Sequence, residues 1–240
     1  MTHLRFLYYF AKEFRSESRT LVTGPFVEYG RAIYDSYLDN GVHASGTNSF
    51  TGGGWFLRGE QKNGFLYEAS VRFGHMTSDY QGEAPMATNY DSGSNYLGFH
   101  AGLGKRWAVS ERGTVEAYAK YFYTHQQGDD VTLSTGEKYH FDAVNSNRTR
   151  LGVRYTHRTA ENCDVYGGLA WDYEFGSEAR ASYRGYSTPA PSMKGSSGMA
   201  EIGVKYTPSE TLPLTLDCSV QGWTGKQQGV GASIAFQWNF

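Results

Sequence analysis

Long apolar runs are missing from this sequence. Only 39% of its 240 residues are hydrophobic and its mean hydropathy is −0.55. No run approaches the roughly 18 uninterrupted apolar residues that a transmembrane helix needs, so helical membrane proteins are excluded. Cysteine is scarce as well, since Cys163 and Cys218 are the only two. Two cysteines give no disulfide scaffold, and we expect both thiols to be unpaired.

An excess of charge of one sign is also missing. The chain has 22 basic and 24 acidic residues and a net charge of −2, which predicts no nucleic-acid partner. Its seven histidines are scattered without the spacing of metal ligands, so we expect neither a metal nor another cofactor. The length suits one all-β domain.

Aromatic residues and glycine are abundant instead. The chain is 16% aromatic and contains 19 Tyr, 14 Phe and 30 Gly but only 6 Pro. This profile is typical of many strands joined by tight turns, with girdles of aromatic side chains. The clearest strand is the last one, over residues 228–240, where six apolar side chains alternate with small or polar ones: Val230, Ala232, Ile234, Phe236, Trp238 and Phe240.

The same period-2 test predicts about ten strands from residue 20 onward. In residues 64–74, for example, Phe65, Tyr67, Ala69, Val71 and Phe73 alternate with polar or smaller residues. The faces opposite the apolar ones carry many charges: Glu68, Arg72, Arg106, Glu116, Lys120, Arg148, Arg150, Arg154, Asp172, Glu174, Glu201, Lys205 and Asp217. A sandwich interior cannot hold that many charges, because dehydrating them costs too much.

Two architectures satisfy these two faces. In an antiparallel up-and-down transmembrane β-barrel, the apolar face meets lipid and the thirteen charged residues line a wet lumen. In a soluble β protein, the apolar faces pack together and the charged faces form the surface. The strand lengths of about ten residues match a tilted membrane crossing and favour the barrel.

The connections between the predicted strands alternate in length. Residues 35–48, 78–93, 126–145 and 176–195 form long connections, and the ones between them are short. Only the last connection, residues 224–227, is short where the rule requires a long one. Outer-membrane barrels have short periplasmic turns and long extracellular loops, so the alternation favours that class.

The first 21 residues are expected to form a leader. Their apolar segment is too short for a secretory signal and no small-residue cleavage site follows it. Leu4, Leu7, Tyr8, Ala11 and Phe14 share one helical face, which predicts a short amphipathic helix; a disordered leader is the alternative.

No catalytic or ligand-binding motif emerges. Gly52-Gly53-Gly54 precedes a strand rather than a helix, so it lacks the helix N-terminus of a phosphate-binding loop. His75 with Asp79, and His125 with Asp129 and Asp130, lie near the predicted outer rim, where a surface protease would carry histidine and acid pairs. No further motif supports catalysis, and we expect a protein that is not an enzyme.

Five runs resemble the C-terminal β-barrel translocator domain of classical autotransporters, the proteins of type V secretion in Gram-negative bacteria. They are GPFVEYGRAIYDSY (24–37), NYLGFHAGLGKRW (95–107), VEAYAKYFYTHQQGDDVTLSTGE (115–137), FDAVNSNRTRLGVRY (141–155) and LPLTLDCSVQGWTGKQQGVGASIAFQWNF (212–240). The resemblance covers about residues 22–240.

The resemblance implies a twelve-stranded barrel in the bacterial outer membrane that helps export an N-terminal passenger to the cell surface. Outer-membrane lipid, the barrel-assembly machinery and the passenger segment are the implied partners. Phe236, Trp238 and Phe240 resemble the C-terminal signal that the assembly machinery recognises. The ten predicted strands resemble strands three to twelve of the family, so we expect either a truncated version or a smaller barrel closed by ten strands.

A second hypothesis stays open at this point. The chain could be a stand-alone outer-membrane surface barrel, an adhesin or an omptin-like protease, that acts through its long extracellular loops. Both hypotheses predict the same architecture and differ in what the lumen and the loops do.

Overall fold

The computed structural model describes residues 2–37, 43–83, 87–208 and 212–238, and in these ranges the chain forms sixteen strands. They are β1 (Thr2–Tyr9), β2 (Lys12–Arg15), β3 (Arg19–Tyr37), β4 (His43–Gln61), β5 (Phe65–Gly82), β6 (Asn89–Ala108), β7 (Gly113–Gln126), β8 (Asp129–Thr132), β9 (Lys138–Phe141), β10 (Val144–Ala160), β11 (Cys163–Glu174), β12 (Ala181–Tyr183), β13 (Tyr186–Ser187), β14 (Gly195–Tyr206), β15 (Leu214–Gly225) and β16 (Gly229–Trp238). Among the described residues no helix has the length and apolarity of a membrane span.

One curled antiparallel sheet contains most of these strands. Its order is β1-β3-β4-β5-β6-β7-β10-β11-β14-β15-β16, so each long strand pairs with the next one along the chain. The strand β2 also pairs with β3, in the same register as β1. Pairing is interrupted between them opposite Gly24 and Pro25, because proline has no N–H to donate. Together β1 and β2 therefore occupy one position, and the sheet has eleven positions.

Residues 2–21 do not form the short helix that the sequence predicted for a leader. Residues 2–15 run along β3 instead, with Leu4 opposite Arg31 and Phe6 opposite Tyr29. Leu4, Phe6 and Tyr8 also alternate with period 2, and pairing with β3 satisfies backbone groups that a short isolated helix would leave to water. This extra position is why eleven strands are observed where about ten were predicted.

Four strands are much longer than a membrane crossing requires. The strands β3 to β6 contain 18 to 20 residues each, whereas about ten tilted residues suffice. Most of the predicted long connections 35–48 and 78–93 are therefore strand, since pairing continues to Tyr37 opposite His43 and to Gln81 opposite Asn89. The sheet extends beyond the membrane band at this end, opposite the short turns.

The other two long connections fold into a second sheet at the same end. It has four strands in the order β13-β12-β9-β8, contributed by the β7–β10 and β11–β14 connections. We call it the loop sheet. Val131 and Ala181 are its buried apolar residues.

The two faces of the large sheet differ sharply. Side chains such as Phe73, Leu169 and Phe236 are 63–69% exposed on the outer face. The inner face instead buries acids, among them Glu28, Asp172 and Glu201. In the described residues no second sheet covers the apolar face, as a soluble sandwich would require.

Candidate functional site on the inner face

The thirteen charged residues singled out from the sequence share the inner face of the large sheet. Register shows this directly: Arg150 lies opposite Lys120 on one side and Asp172 on the other, and Arg154 lies opposite Glu116. Because side chains alternate along each strand, residues at matching register positions point to the same face. The structure brings most of the thirteen into ion pairs.

Two arginines of β10 form paired contacts with acids. Arg150 donates to both carboxylate oxygens of Asp172, at 2.6 and 2.8 Å, and Arg154 donates to both of Glu201, at 2.8 and 3.0 Å. The side chains of Asp172 and Glu201 are 3% and 2% exposed. Bidentate contacts of this kind hold both partners in one geometry.

Further along the face, charges form small networks. Arg106 pairs with Glu116 at 2.8 Å and with Glu60 at 2.8 Å. Glu68 lies between Lys120 and His100. Such networks satisfy charges that would otherwise be costly to place away from bulk water.

Glycine on the inner face lets some of these pairs reach across a whole strand. Gly168 lies between Arg154 and Glu201 in register, and a Cβ at Gly168 would come within 2.7 Å of Glu201 Oε1. Gly102 lies in the same way between Glu68 and Lys120, and its Cβ would come within 2.8 Å of Glu68. The missing side chains leave room for charged groups to meet above the intervening strand.

Glu28 is another buried acid of the inner face, and it was not among the thirteen charged residues singled out from the sequence. Its side chain is fully buried, pairs with Arg5 at 2.6 Å and accepts a hydrogen bond from Tyr96 at 2.9 Å. Tyr96 reaches it across two strands, over Gly52 and Gly74, which occupy the two register positions between them. Alternation with the outward Val27 and Tyr29 already indicates that Glu28 points inward, so the signal was present.

The Gly52–Gly54 run therefore has a structural role inside β4. Besides the space that Gly52 gives to Tyr96, a Cβ at Gly54 would lie 2.0 Å from the backbone oxygen of Val71. The run is part of a strand and precedes no helix, which agrees with the interpretation that it is not a phosphate-binding loop.

Four of the thirteen charged residues lie outside the ion pairs described above. Glu174 lies opposite Arg148 but accepts hydrogen bonds from Ser146 and the Asn147 backbone. Asp217 accepts one from Tyr166 at 2.7 Å. Arg72 lies 3.8 Å from Glu28, and Lys205 lies opposite Asp217 in register.

Arg148 differs from its neighbours on β10. Its Nε atom is buried and has no hydrogen-bond partner in the described part of the chain. Its guanidinium lies 4.9 Å from the centre of the Phe122 ring, which also stacks with His100 at 4.7 Å and lies 5.9 Å from the Arg150 guanidinium. Among the described residues, Arg148 is thus an inner-face cation that is held in place by an aromatic ring and forms no ion pair with a carboxylate.

A polar cavity of about 310 Å³ lies among these groups, lined by residues that include Arg58, Glu68, Tyr118, Lys120 and Glu201. Its lining is rich in paired charges, so it suits water and an extended polar chain better than an apolar ligand. No group of metal-ligating side chains is found in the residues that the structure describes.

The rim histidines do not form the acid pairs considered from the sequence. His75 contacts Asn95 and His125 contacts Asn145, both at 2.9 Å. It is His140 that pairs with Asp130, at 2.7 Å, and this hydrogen bond raises the pKa of His140 above its ordinary value. These contacts assemble no nucleophile and base.

The last strand keeps its predicted faces as far as it is described. Phe236 and Trp238 are exposed on the outer face, while Phe240 lies outside the described residues. Cys163 and Cys218 are free thiols, as expected. Ile234 lies directly opposite Cys218.

Comparison with known families decides what this sheet is. The family model described as Autotransporter beta-domain matches residues 10–219. The chain belongs to the autotransporter β-domain family. It is accordingly an outer-membrane translocator barrel domain, in agreement with the resemblance seen in the sequence.

Solved autotransporter structures share its fold. The β-domain of the Bordetella autotransporter BrkA aligns with a TM-score of 0.75 and 16% identity, covering 98% of this chain and 87% of that one. The transport unit of AIDA-I from Escherichia coli gives 0.66 and 14%, covering 98% and 81%. The translocator domain of NalP from Neisseria meningitidis gives 0.61 and 9%, covering 99% and 87%. No curated protein sequence matches the chain.

Proposed function

We propose that the inner face encloses a water-filled lumen that holds an extended passenger segment of the same protein during export. The observation that carries this proposal is the inner face itself, where paired charges surround a polar cavity. Charges satisfied by one another leave few groups that would trap a passing polypeptide. A lumen lined by unpaired charges of one sign would hold that polypeptide too tightly to release it.

Arg148 supports the same proposal in a second way. Its Nε lacks a partner among the described residues, although its guanidinium is fixed against Phe122. A carboxylate or backbone carbonyl of the transiting segment would bond to the other N–H groups of this guanidinium, and a single charge-assisted contact of this kind contributes only about 1.5–3 kcal/mol. Such a contact is weak enough to be exchanged as the segment moves.

The remaining partners follow from the outer face. We propose that Phe73, Leu169 and the other exposed apolar side chains contact lipid, because exposure to water would create an apolar surface far larger than soluble proteins tolerate. We also propose that the aromatic alternation of Phe236 and Trp238, continued in sequence to Phe240, is the signal that the barrel-assembly machinery reads. No catalytic step is part of the proposed function.

Photo-crosslinking tests the lumen. A photo-reactive side chain in place of Lys120, which lines the cavity, is expected to crosslink to the passenger segment while the complete protein is being exported. The matched control is Ala119, its neighbour on the outer face of β7, which should give crosslinks to lipid only. Passenger crosslinks from Ala119 and none from Lys120 would contradict the proposal.

A further inference from the structure

The acids of the inner face lie deeper than the bases with which they pair. In the Arg154–Glu201 pair, the arginine side chain is 36% exposed and the glutamate side chain 2%; in the Arg5–Glu28 pair the two fractions are 47% and 0%. The same order holds in Arg72–Glu28, Arg106–Glu116, Lys120–Glu68, Arg150–Asp172 and Arg158–Asp164. Among the described residues, Arg106–Glu60 is the one arginine or lysine salt bridge of this face with the reverse order.

This order follows from side-chain length. Strand side chains stand roughly perpendicular to the sheet, and arginine and lysine are longer than aspartate and glutamate. The basic group therefore ends nearer the axis of the lumen, while the carboxylate stays against the wall. Each pair is neutral as a whole, but its positive end faces the water. Because Coulomb energy falls with distance, an ion in the lumen interacts more strongly with the base than with the acid.

Two more bases of the inner face are exposed and form no salt bridge in the described part of the chain. Arg58 lies opposite Glu68, whose carboxylate pairs with Lys120 instead. Lys205 lies opposite Asp217, whose carboxylate accepts a hydrogen bond from a tyrosine. Both bases add positive charge to the surface that meets the water.

The acids that lack a salt bridge do not offset these two bases. Glu174 accepts hydrogen bonds from the Ser146 hydroxyl and the Asn147 backbone, and Asp217 accepts one from Tyr166. Both acids are half-buried, so they are less exposed than the two unpaired bases. Neutral donors hold their carboxylates in place without adding a cation beside them.

The polar cavity of about 310 Å³ has the same character. Its lining includes four bases, Arg58, Lys120, Arg150 and Arg154, but only three acids. One of the three is Glu201, which the wall covers almost completely. The most open part of the inner face is therefore positively charged, although the chain as a whole carries a net charge of −2.

We propose that the lumen, when no passenger segment occupies it, conducts small anions in preference to cations. This inference rests on the proposed water-filled lumen and adds a charge preference that the nearly balanced count of basic and acidic residues does not reveal. Rings of arginine and lysine side chains favour anions in pores. Here the exposed ends of the ion pairs, together with Arg58 and Lys205, supply that positive surface.

Ion permeability of the purified chain in a planar lipid bilayer tests the proposal. Potassium chloride is the probe, because its two ions have nearly equal mobility in water. With roughly 0.03 M salt on one side and roughly 0.1 M on the other, the reversal potential should give a chloride-to-potassium permeability ratio of about three or more. The ratio should fall toward one near 1 M salt, where the Debye length is only about 3 Å.

Variants show whether the lumen bases cause the preference. Arg58 lines the cavity and has no salt bridge in the described ranges, so its replacement leaves no buried acid unpaired. Arg58→Gln should lower the permeability ratio about twofold, and Arg58→Glu should lower it further. The matched control is Arg31→Gln, which removes the same charge from the outer face of β3, opposite Leu4. It should leave the ratio unchanged.

A conducting pore that prefers potassium, or that prefers neither ion in dilute salt, would overturn the proposal. Equal ratios in the wild type and Arg58→Glu, or an equal fall in Arg31→Gln, would do the same. An absence of conductance would also overturn it, and crosslinking of the passenger at position 120 of the complete protein then shows whether the proposed export function fails as well.

Discussion

The pKa of His140 depends on how the long connections fold into the loop sheet. Its Nδ1 lies 2.7 Å from Asp130 across the β8–β9 pair, and its Nε2 lies 3.7 Å from Asp142. The hydrogen bond to Asp130 is the largest influence on its pKa and raises it; slight burial lowers it, and the charges of Asp130 and Asp142 raise it further. The protonated imidazole is thus favoured in the folded loop sheet.

A pH dependence follows from that shift. Since the folded pKa lies above the unfolded one, the contact stabilises the loop sheet fully below the unfolded value of about 6.5 and is lost as pH rises through the raised value. NMR titration of the His140 ring should give a raised pKa. Asp130→Asn should move it back toward the ordinary value by more than Asp142→Asn does. If Asp130→Asn leaves the titration unchanged, the ion pair is not the cause.

The face of the sheet to which each side chain points was predictable from the sequence, but the ion pairs that the side chains form were not. Strict alternation in β10 already separates Arg150 from Leu151, and register confirms that they lie on opposite faces. The pairing of Arg154 with Glu201, 47 residues away, depends on which strands are neighbours and on the glycine between them. Asp130 was considered with His125 because they are close in sequence, whereas the loop sheet brings it to His140.

At the scale of the strand, glycine decides whether charges can meet over a neighbour. Two rows of the sheet, Arg154–Gly168–Glu201 and Glu68–Gly102–Lys120, each contain a glycine in the middle strand and a charged residue on each of the two strands that flank it. Any side chain there would stand roughly perpendicular to the sheet, in the path of the ion pair. Glycine otherwise weakens strand interiors, so its position here has a specific benefit.

Gly168→Ala tests this role. The new Cβ would lie 2.7 Å from Glu201 Oε1 and 3.0 Å from the Val153 backbone oxygen, so Glu201 must move and its paired contact with Arg154 is lost. We expect the free energy of unfolding to fall by about 1–3 kcal/mol, measured by urea unfolding in micelles. Gly222→Ala is the control, because nothing lies within 4 Å of its Cβ.

A double-mutant cycle shows why Gly168→Ala lowers the free energy of unfolding. With Glu201→Ala already in place, Gly168→Ala has no ion pair to break, so its effect should shrink markedly. An unchanged effect in that background would show that the crowding against Val153, and not the Arg154–Glu201 pair, explains the destabilisation.

At the scale of the whole molecule, fold class and topology were predictable because every strand repeats the same signal. The apolar and charged faces allowed a membrane barrel or a soluble β protein, the strand lengths and the alternating connections favoured the up-and-down barrel, and the family match agrees. The strand count was off by one because residues 2–15 carry helical and strand periodicity together, and only the free edge of β3 decides between them. The lengths of β3 to β6 also depend on pairing beyond the membrane.

The odd number of strand positions in the large sheet limits how the sheet can close into a barrel. Eleven antiparallel positions make β1 and β16 run in the same direction, and no pairing joins them in the described residues. Bacterial outer-membrane barrels have an even number of antiparallel strands. Closure thus requires either a parallel β1–β16 pair or one further strand that is antiparallel to both. Two unpaired edges in lipid would leave many backbone groups unsatisfied at several kcal/mol each.

Cysteine crosslinking distinguishes the two forms of closure. Ile234→Cys should form a disulfide with the native Cys218, since the two are directly opposite on β15 and β16. In a Cys218→Ser background, Ile234→Cys paired with Leu4→Cys, Phe6→Cys or Tyr8→Cys should give no crosslink in the assembled barrel. A further strand between the two edges would separate them by about 10 Å, beyond the ~7 Å limit of a disulfide. A crosslink at any of the three positions would instead show that β1 and β16 close the barrel directly as a parallel pair.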